Sequence, residues 1–222
     1  AQHPPGKVLL FRRGLDTSMN VVEGRDVDWT ELAAKHEGAQ VPCAWLESSE
    51  PSYILYTSGT TSRPKGVLTA HVSVVVANLT MAITFGHQWG GNHSVMPITP
   101  PLFHTNALNA LLQPILVTGG TAIIMDGFDP HAVHKALQSS RITHLMALPI
   151  QYQQLLEVID QGEAFHDVRM CIYAMAPLAE RWIDRLMTAF PSASVVLGSG
   201  MTECVPATVF QWPEHRATKG GS

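Results

Sequence analysis

Between residues 121 and 199 four runs of strand length are apolar almost throughout: "TAIIMD" from Thr121, "THLMALP" from Thr143, "RMCIYAM" from Arg169 and "SVVLGS" from Ser194. A strand with one face in water alternates apolar and polar residues; one that does not alternate must be covered on both faces. Helical patterns separate these runs, at residues 130–139, 150–159 and 178–190. Upstream, residues 7–11, 52–56 and 94–98 predict strands, and residues 29–36, 71–85 and 105–117 predict helices. Strand and helix in alternation define an α/β fold, a mostly parallel sheet with helices flanking both faces. In such sheets ligands sit beyond the carboxyl ends of the strands. Loops 57–66, 97–104, 174–178 and 198–203 therefore fall on one edge as candidate site loops. Residues 1–50 form a short strand and helix with an irregular, more polar lead-in, and residues 51–222 form the α/β core.

Composition narrows the function classes. The chain has 222 residues, 45% of them hydrophobic, with 14 basic and 18 acidic side chains and a net charge of −4. That balance argues against a broad nucleic-acid-binding face. Charged residues make up only 14%, so part of the surface is expected to be covered by a partner, and a homo-oligomer is one way to cover it. Cys43, Cys171 and Cys204 are odd in number and widely spaced, which fits a reducing, cytoplasmic setting better than a disulfide framework. The most apolar run, from Val72, is too short and too interrupted for a membrane span.

The stretch "YILYTSGTTSRPKGV", from Tyr53 to Val67, carries the strongest chemistry. A buried strand runs into glycine and hydroxyl residues and ends on Lys65. Glycines let backbone N–H groups approach a ligand, hydroxyls add donors, and a lysine ammonium suits phosphate oxygens. The spacing is not that of the G-x-x-x-x-G-K-[ST] loop. Composition alone also fits an exposed turn; the position after a strand favours a phosphate cradle.

"YTSGTTSRPKGV" resembles the phosphate-binding signature of the AMP-forming acyl-CoA synthetases and their adenylate-forming relatives, with Ser62 where glycine is usual. Three further segments are similar to that family's motifs in the expected order: "PLFHTNAL" (101–108), "AMAPL" (174–178) and "GSGMTE" (198–203). The resemblance covers essentially the whole chain. Up to Gly66 it is closer to the propionyl- and acetyl-CoA synthetase branch, and from Val67 onward to the fatty-acyl or aryl-CoA ligase branch.

The resemblance implies the central part of an adenylate-forming N-terminal domain, ending before that family's ribose-binding aspartate and small C-terminal domain. It implies ATP and Mg²⁺ as ligands, CoA as co-substrate and a small fatty or short-chain carboxylic acid as substrate. Carried over by position, Thr57, Ser58, Gly59, Thr60, Thr61, Lys65 and Gly66 contact the ATP phosphates. His104 borders the acid, Ala176 and Pro177 lie near adenine, Thr202 binds the α-phosphate region and Glu203 holds Mg²⁺. Lys65, His104 and Glu203 are the catalytic candidates. The implied reaction is attack of a carboxylate on the α-phosphorus of ATP, followed by displacement of AMP by the CoA thiol. The family's adenylation lysine belongs to the C-terminal domain, and Lys219 does not stand in for it, so turnover by this chain alone is expected to be incomplete.

Two other readings stay open on the residues. Ser62 and Lys65 form S-x-x-K, a spacing at which lysine can deprotonate serine in some hydrolases. A non-catalytic nucleotide-binding fragment is the other. Among eleven histidines, His131 and His134 lie three apart on one helical face, and without a third ligand nearby a solvated face is the simpler account.

Overall fold

The computed structural model describes residues 8–10, 22–40, 42–58, 63–87 and 93–211, with the backbone alone for 8–10 and 205–211. Gly59, Thr60, Thr61, Ser62 and Lys219 lie outside the described residues. The chain divides into two compact units, Ala1–Leu46 and Glu47–Ser222.

In the first unit β1 (Val8–Leu10) pairs in parallel with β2 (Asp26–Asp28). Helix α1 (Trp29–Lys35) follows at once because Asp28 caps it, its carboxylate accepting from the N–H groups of Thr30 and Glu31 at 2.8 and 3.3 Å.

The second unit opens with an antiparallel hairpin, β3 (Pro51–Thr57) and β4 (Lys65–Ala70). Its register sets Thr57 opposite Lys65 and Tyr56 opposite Gly66. Glycine is required at 66, since a Cβ there would stand 2.9 Å from Ile54 Cγ2 and 3.4 Å from the Tyr56 ring. The sequence predicts no strand between residues 57 and 70; β4 occupies Lys65–Ala70 there, antiparallel to β3, and helix α2 (His71–Thr84) starts only after it.

Strands β5 (Val95–Ile98) and β6 (Thr121–Ile124) pair in parallel. Between them residues 105–117 are helical as expected, but Asn106–Leu112 winds as a π-helix before α3 (Gln113–Val117). The wide turn has local causes. The Gln113 N–H donates to Leu108 O, five residues back, and Pro114 has no N–H with which to continue an α ladder. Strands β7 (His144–Ala147), β8 (Met170–Ala174) and β9 (Ser194–Met201) are parallel, and β10 (Cys204–Gln211) adds antiparallel to β9. Thr143 ties β5 beside β7: its N–H donates to Val95 O at 2.9 Å, and its hydroxyl accepts from Val95 N–H at 2.8 Å.

Helices α4 (Pro130–Ser139), α5 (Pro149–Val158) and α6 (Glu180–Ala189) connect these strands. Successive strand residues point to opposite faces, and two cores result. Leu145, Ala147, Cys171, Tyr173 and Val195 pack with α4, α5 and α6. Met146, Met170, Ile172 and Val196 pack with Met81 and Phe85 of α2, Leu111 and Ile115. Burial on both faces holds for β7, β8 and the first half of β9, as their unalternating sequences require, but not for β6, which has no buried residue and leaves Ile124 exposed. The fold is the α/β arrangement expected, four of the six strand pairs among the described residues being parallel. Among the described residues no helix is long and apolar enough to cross a membrane.

Candidate active site

At the carboxyl ends of β8 and β9 a cavity of about 560 Å³ opens between the hairpin, the π-helix and the β9–β10 turn. Three of the four sequence-predicted loops reach it with candidate residues. Thr57, Ser58 and Lys65 come from the mouth of the β3–β4 hairpin, His104 from the loop after β5, and Thr202 and Glu203 from the β9–β10 connection. That connection is tight: Met201 pairs directly with Cys204, so Thr202 and Glu203 are the two turn residues. The ladder also fixes Lys65, because its partner Thr57 lines the same wall.

His104 is exposed at the rim. Its Nδ1 accepts the Asn106 N–H at 3.2 Å, which orients the ring and leaves Nε2 for a ligand. The fourth loop contributes differently from expectation. Ala174 and Met175 line the cavity, whereas Ala176 and Pro177, one and two residues on, are exposed and are not part of its wall. Gly66 is likewise set back, against Ile54 and Tyr56.

The polar mouth leads to an apolar floor of Met81, Phe85, Leu111, Met146 and Ile172. Two asparagines missed by the sequence patterns project from the π-helix onto this wall. Asn109, buried to 1%, accepts from the Thr105 hydroxyl at 3.1 Å and donates to Gln113 Oε1 at 3.0 Å. Asn106 Nδ2 lies 3.7 Å from the Met146 sulfur. Met175 was also missed; it has φ +75°, a left-handed conformation unusual for a side chain of this kind. Helix periodicity reveals none of these, since a π-turn advances side chains by a different angle and strain leaves no composition signal.

The cavity lining carries five hydroxyls (Thr57, Ser58, Thr105, Ser199 and Thr202), the Glu203 carboxylate and the Lys65 ammonium, beside His104, Cys204 and four methionines. The hydroxyls, carboxylate and ammonium suit phosphate oxygens and a hard divalent cation. Among the described residues no group of three or more His, Cys, Asp or Glu could hold a metal by itself. His134 is engaged elsewhere, its Nε2 2.7 Å from Glu163 Oε2, with Gln138 bonded to the same carboxylate.

Comparison with known proteins identifies the family. The family described as AMP-binding enzyme matches residues 10–222, and the chain belongs to it. It is 53% identical over 92 residues to propionate–CoA ligase of Salmonella typhimurium, a match covering 41% of this chain and 14% of that protein. With feruloyl-CoA synthase of an Amycolatopsis species it shares 32% over 177 residues, 76% of this chain and 34% of that one. The chain thus spans about a third or less of these relatives' length. Both ligase branches suggested by the motifs are represented, the propionyl one at higher identity over a shorter stretch. An inhibitor-bound N-terminal domain of FACL13 from Mycobacterium tuberculosis superposes with a TM-score of 0.78 at 27% identity, covering 89% of this chain and 49% of that one.

Proposed function

We propose that the cavity binds ATP with Mg²⁺ and a carboxylic acid, and that the whole protein activates this acid through an acyl-adenylate toward an acyl-CoA thioester. The observation that carries this is the convergence of Lys65, His104 and Glu203 on one cavity from three separate stretches of chain. Family membership and the CoA-ligase relatives support it. In this reading residues 51–222 are the AMP-binding core and residues 1–50 its lead-in.

The reaction brings two anions together, a carboxylate oxygen and the α-phosphate. Lys65 and the hydroxyls of Thr57 and Ser58 offset that repulsion from the hairpin side, with Gly59, Thr60 and Thr61 completing the loop in the same role. Thr202 donates from the opposite wall. Mg²⁺ would be held by Glu203 and supply charge neutralisation on phosphate oxygens. As the carboxylate oxygen bonds to phosphorus, pyrophosphate departs; the CoA thiol then attacks the acyl carbon and AMP leaves. His104 borders the acid, and Ala174 and Met175, which line the cavity where Ala176 and Pro177 do not, flank adenine. The uncharged floor suits an acid with an apolar body, as propionate and ferulate both have.

Calorimetric titration with ATP·Mg²⁺ tests the core of the proposal. Lys65→Ala should weaken binding about tenfold, the effect expected of one charge-assisted contact. Glu203→Gln should lose most of the Mg²⁺ dependence. A wild-type chain that binds no nucleotide would overturn the reading. The Ser62–Lys65 hydrolase has no second observation behind it, as Ser62 lies outside the described residues. A cytoplasmic setting belongs to the same proposal, as does a homo-oligomer covering the outer face of α2. That face exposes Val72, Val75, Val76, Leu79 and Ile83, and the helix carries no charged residue.

A further inference from the structure

The parallel strands have a second end, and it also carries chemistry. Where β5, β7 and β8 begin, opposite the cavity at the carboxyl ends of β8 and β9, a hollow of about 380 Å³ is lined by His93, Arg141, Thr143, His166, Asp167 and Arg169. Two guanidiniums and two imidazoles surround a single carboxylate, in a chain whose overall charge is −4.

Among the described residues only one of the two arginines has a bonded carboxylate. Arg141 donates to Asp167 at 3.1 and 3.4 Å across exposed surface. The Asp167 carboxyl lies below its usual range, chiefly through the Arg141 hydrogen bond, with Arg169 and His166 adding to the effect. Among the described residues no carboxylate pairs with the Arg169 guanidinium and no side-chain hydrogen bond holds it. Its backbone, by contrast, is fixed on both sides. The Arg169 N–H donates to Thr143 O at 2.8 Å, and its carbonyl accepts from Ser194 N–H at 2.9 Å. Val168 and Met170 beside it are buried. Thr143 is clamped in turn by Val95.

A half-buried cation on rigid strand ends, set in a concavity with a second arginine and two imidazoles, is a preorganised anion site lacking its counter-charge. We propose that this hollow binds a phosphate group, as the free ion or as a monoester, at a site separate from the cavity that holds Lys65. Arg169 and Arg141 supply forked donors for its oxygens, and His93 and His166 supply further ring N–H donors. A carboxylate, with one charge and two oxygens, would leave part of that donor set unused.

Histidine-selective ¹³C NMR on the full chain at pH 7, in a phosphate-free buffer, reads this directly. Resonances are assigned with His93→Gln and His166→Gln. Inorganic phosphate should shift both signals saturably, and Arg169→Met should raise the apparent Kd about tenfold or more. Arg141→Gln, at an exposed position that does not threaten the fold, should raise it about threefold. Lys65→Ala should leave both titrations unchanged. Glycerol 3-phosphate separates the two sources: tighter binding than the free ion assigns the hollow to a phosphate ester, and equal or weaker binding assigns it to the free ion. Shifts that fail to saturate, that survive both arginine variants, or that acetate reproduces at equal concentration would overturn the proposal.

Discussion

Met175 shows what a single residue can hold at this site. Its φ of +75° places a side chain where glycine is ordinarily found, at a cost of about 1 kcal/mol. The residue is 78% exposed and lines the cavity, so packing does not repay that cost. Met175→Gly should therefore raise the thermal midpoint by about 2–4 °C, measured by circular dichroism. Gly120 is the opposite case. A Cβ there would meet Ile115 Cγ1 at 2.5 Å and Ser94 O at 2.7 Å, and that carbonyl is engaged by the Thr121 N–H. Gly120→Ala should cost about 1–3 kcal/mol in a urea titration. The candidate residues Lys65, His104 and Glu203, which line one cavity, were legible in the sequence because each sits in a motif whose order can be matched. Met175, Asn106 and Asn109 were not legible: their importance comes from a backbone angle and a helical register.

Elements that were legible share a physical cause. Strands β7, β8 and β9 are covered on both faces, so their sequences are apolar without alternation. Strand β4 stayed hidden because Lys65 and Gly66 belong to it, and a motif ending in lysine and glycine looks like a loop. The π-helix stayed hidden because its apolar content matches an α-helix equally well. The hollow of Arg141 and Arg169 draws on positions scattered from 93 to 169, joined only by strand order. One element-level consequence is an acid response. His87 and His144 stack with ring centroids 4.4 Å apart and are both buried. His144 Nε2 bonds to Phe85 O at 2.8 Å, while neither His87 ring nitrogen has a partner among the described residues. Burial pushes His87 down to about 3 and His144 to about 4. Both are depressed below the unfolded value, so unfolding takes up protons. Stability is then full above about pH 6.5 and falls as pH drops toward 4, by up to about 1.4 kcal/mol per pH unit for each imidazole. Urea midpoints at pH 7 and 5 should show the loss, and His87→Leu should roughly halve it.

At the scale of the whole molecule, the contrast between helices matters. On α6, Glu180, Arg181 and Asp184 are exposed and Arg185 donates to Leu156 O at 2.7 Å, whereas α2 turns five aliphatic side chains outward, Ile83 at 77% exposure. Water is a poor neighbour for such a face. If copies of the chain share it, Val76→Lys with Ile83→Lys should move sedimentation to a single smaller species. Unchanged sedimentation would place any assembly elsewhere. The pairing of Thr57 with Lys65 also bears on how the loop can change length over evolution. Insertions or deletions between residues 58 and 64 leave the ladder intact, so the lysine keeps its side of the hairpin even where the proposed phosphate contacts of the loop are altered. One residue added inside β4 after Gly66 turns the same lysine to the opposite face. A change of loop length alters what the loop can touch, whereas a change of strand parity removes the lysine from the cavity altogether.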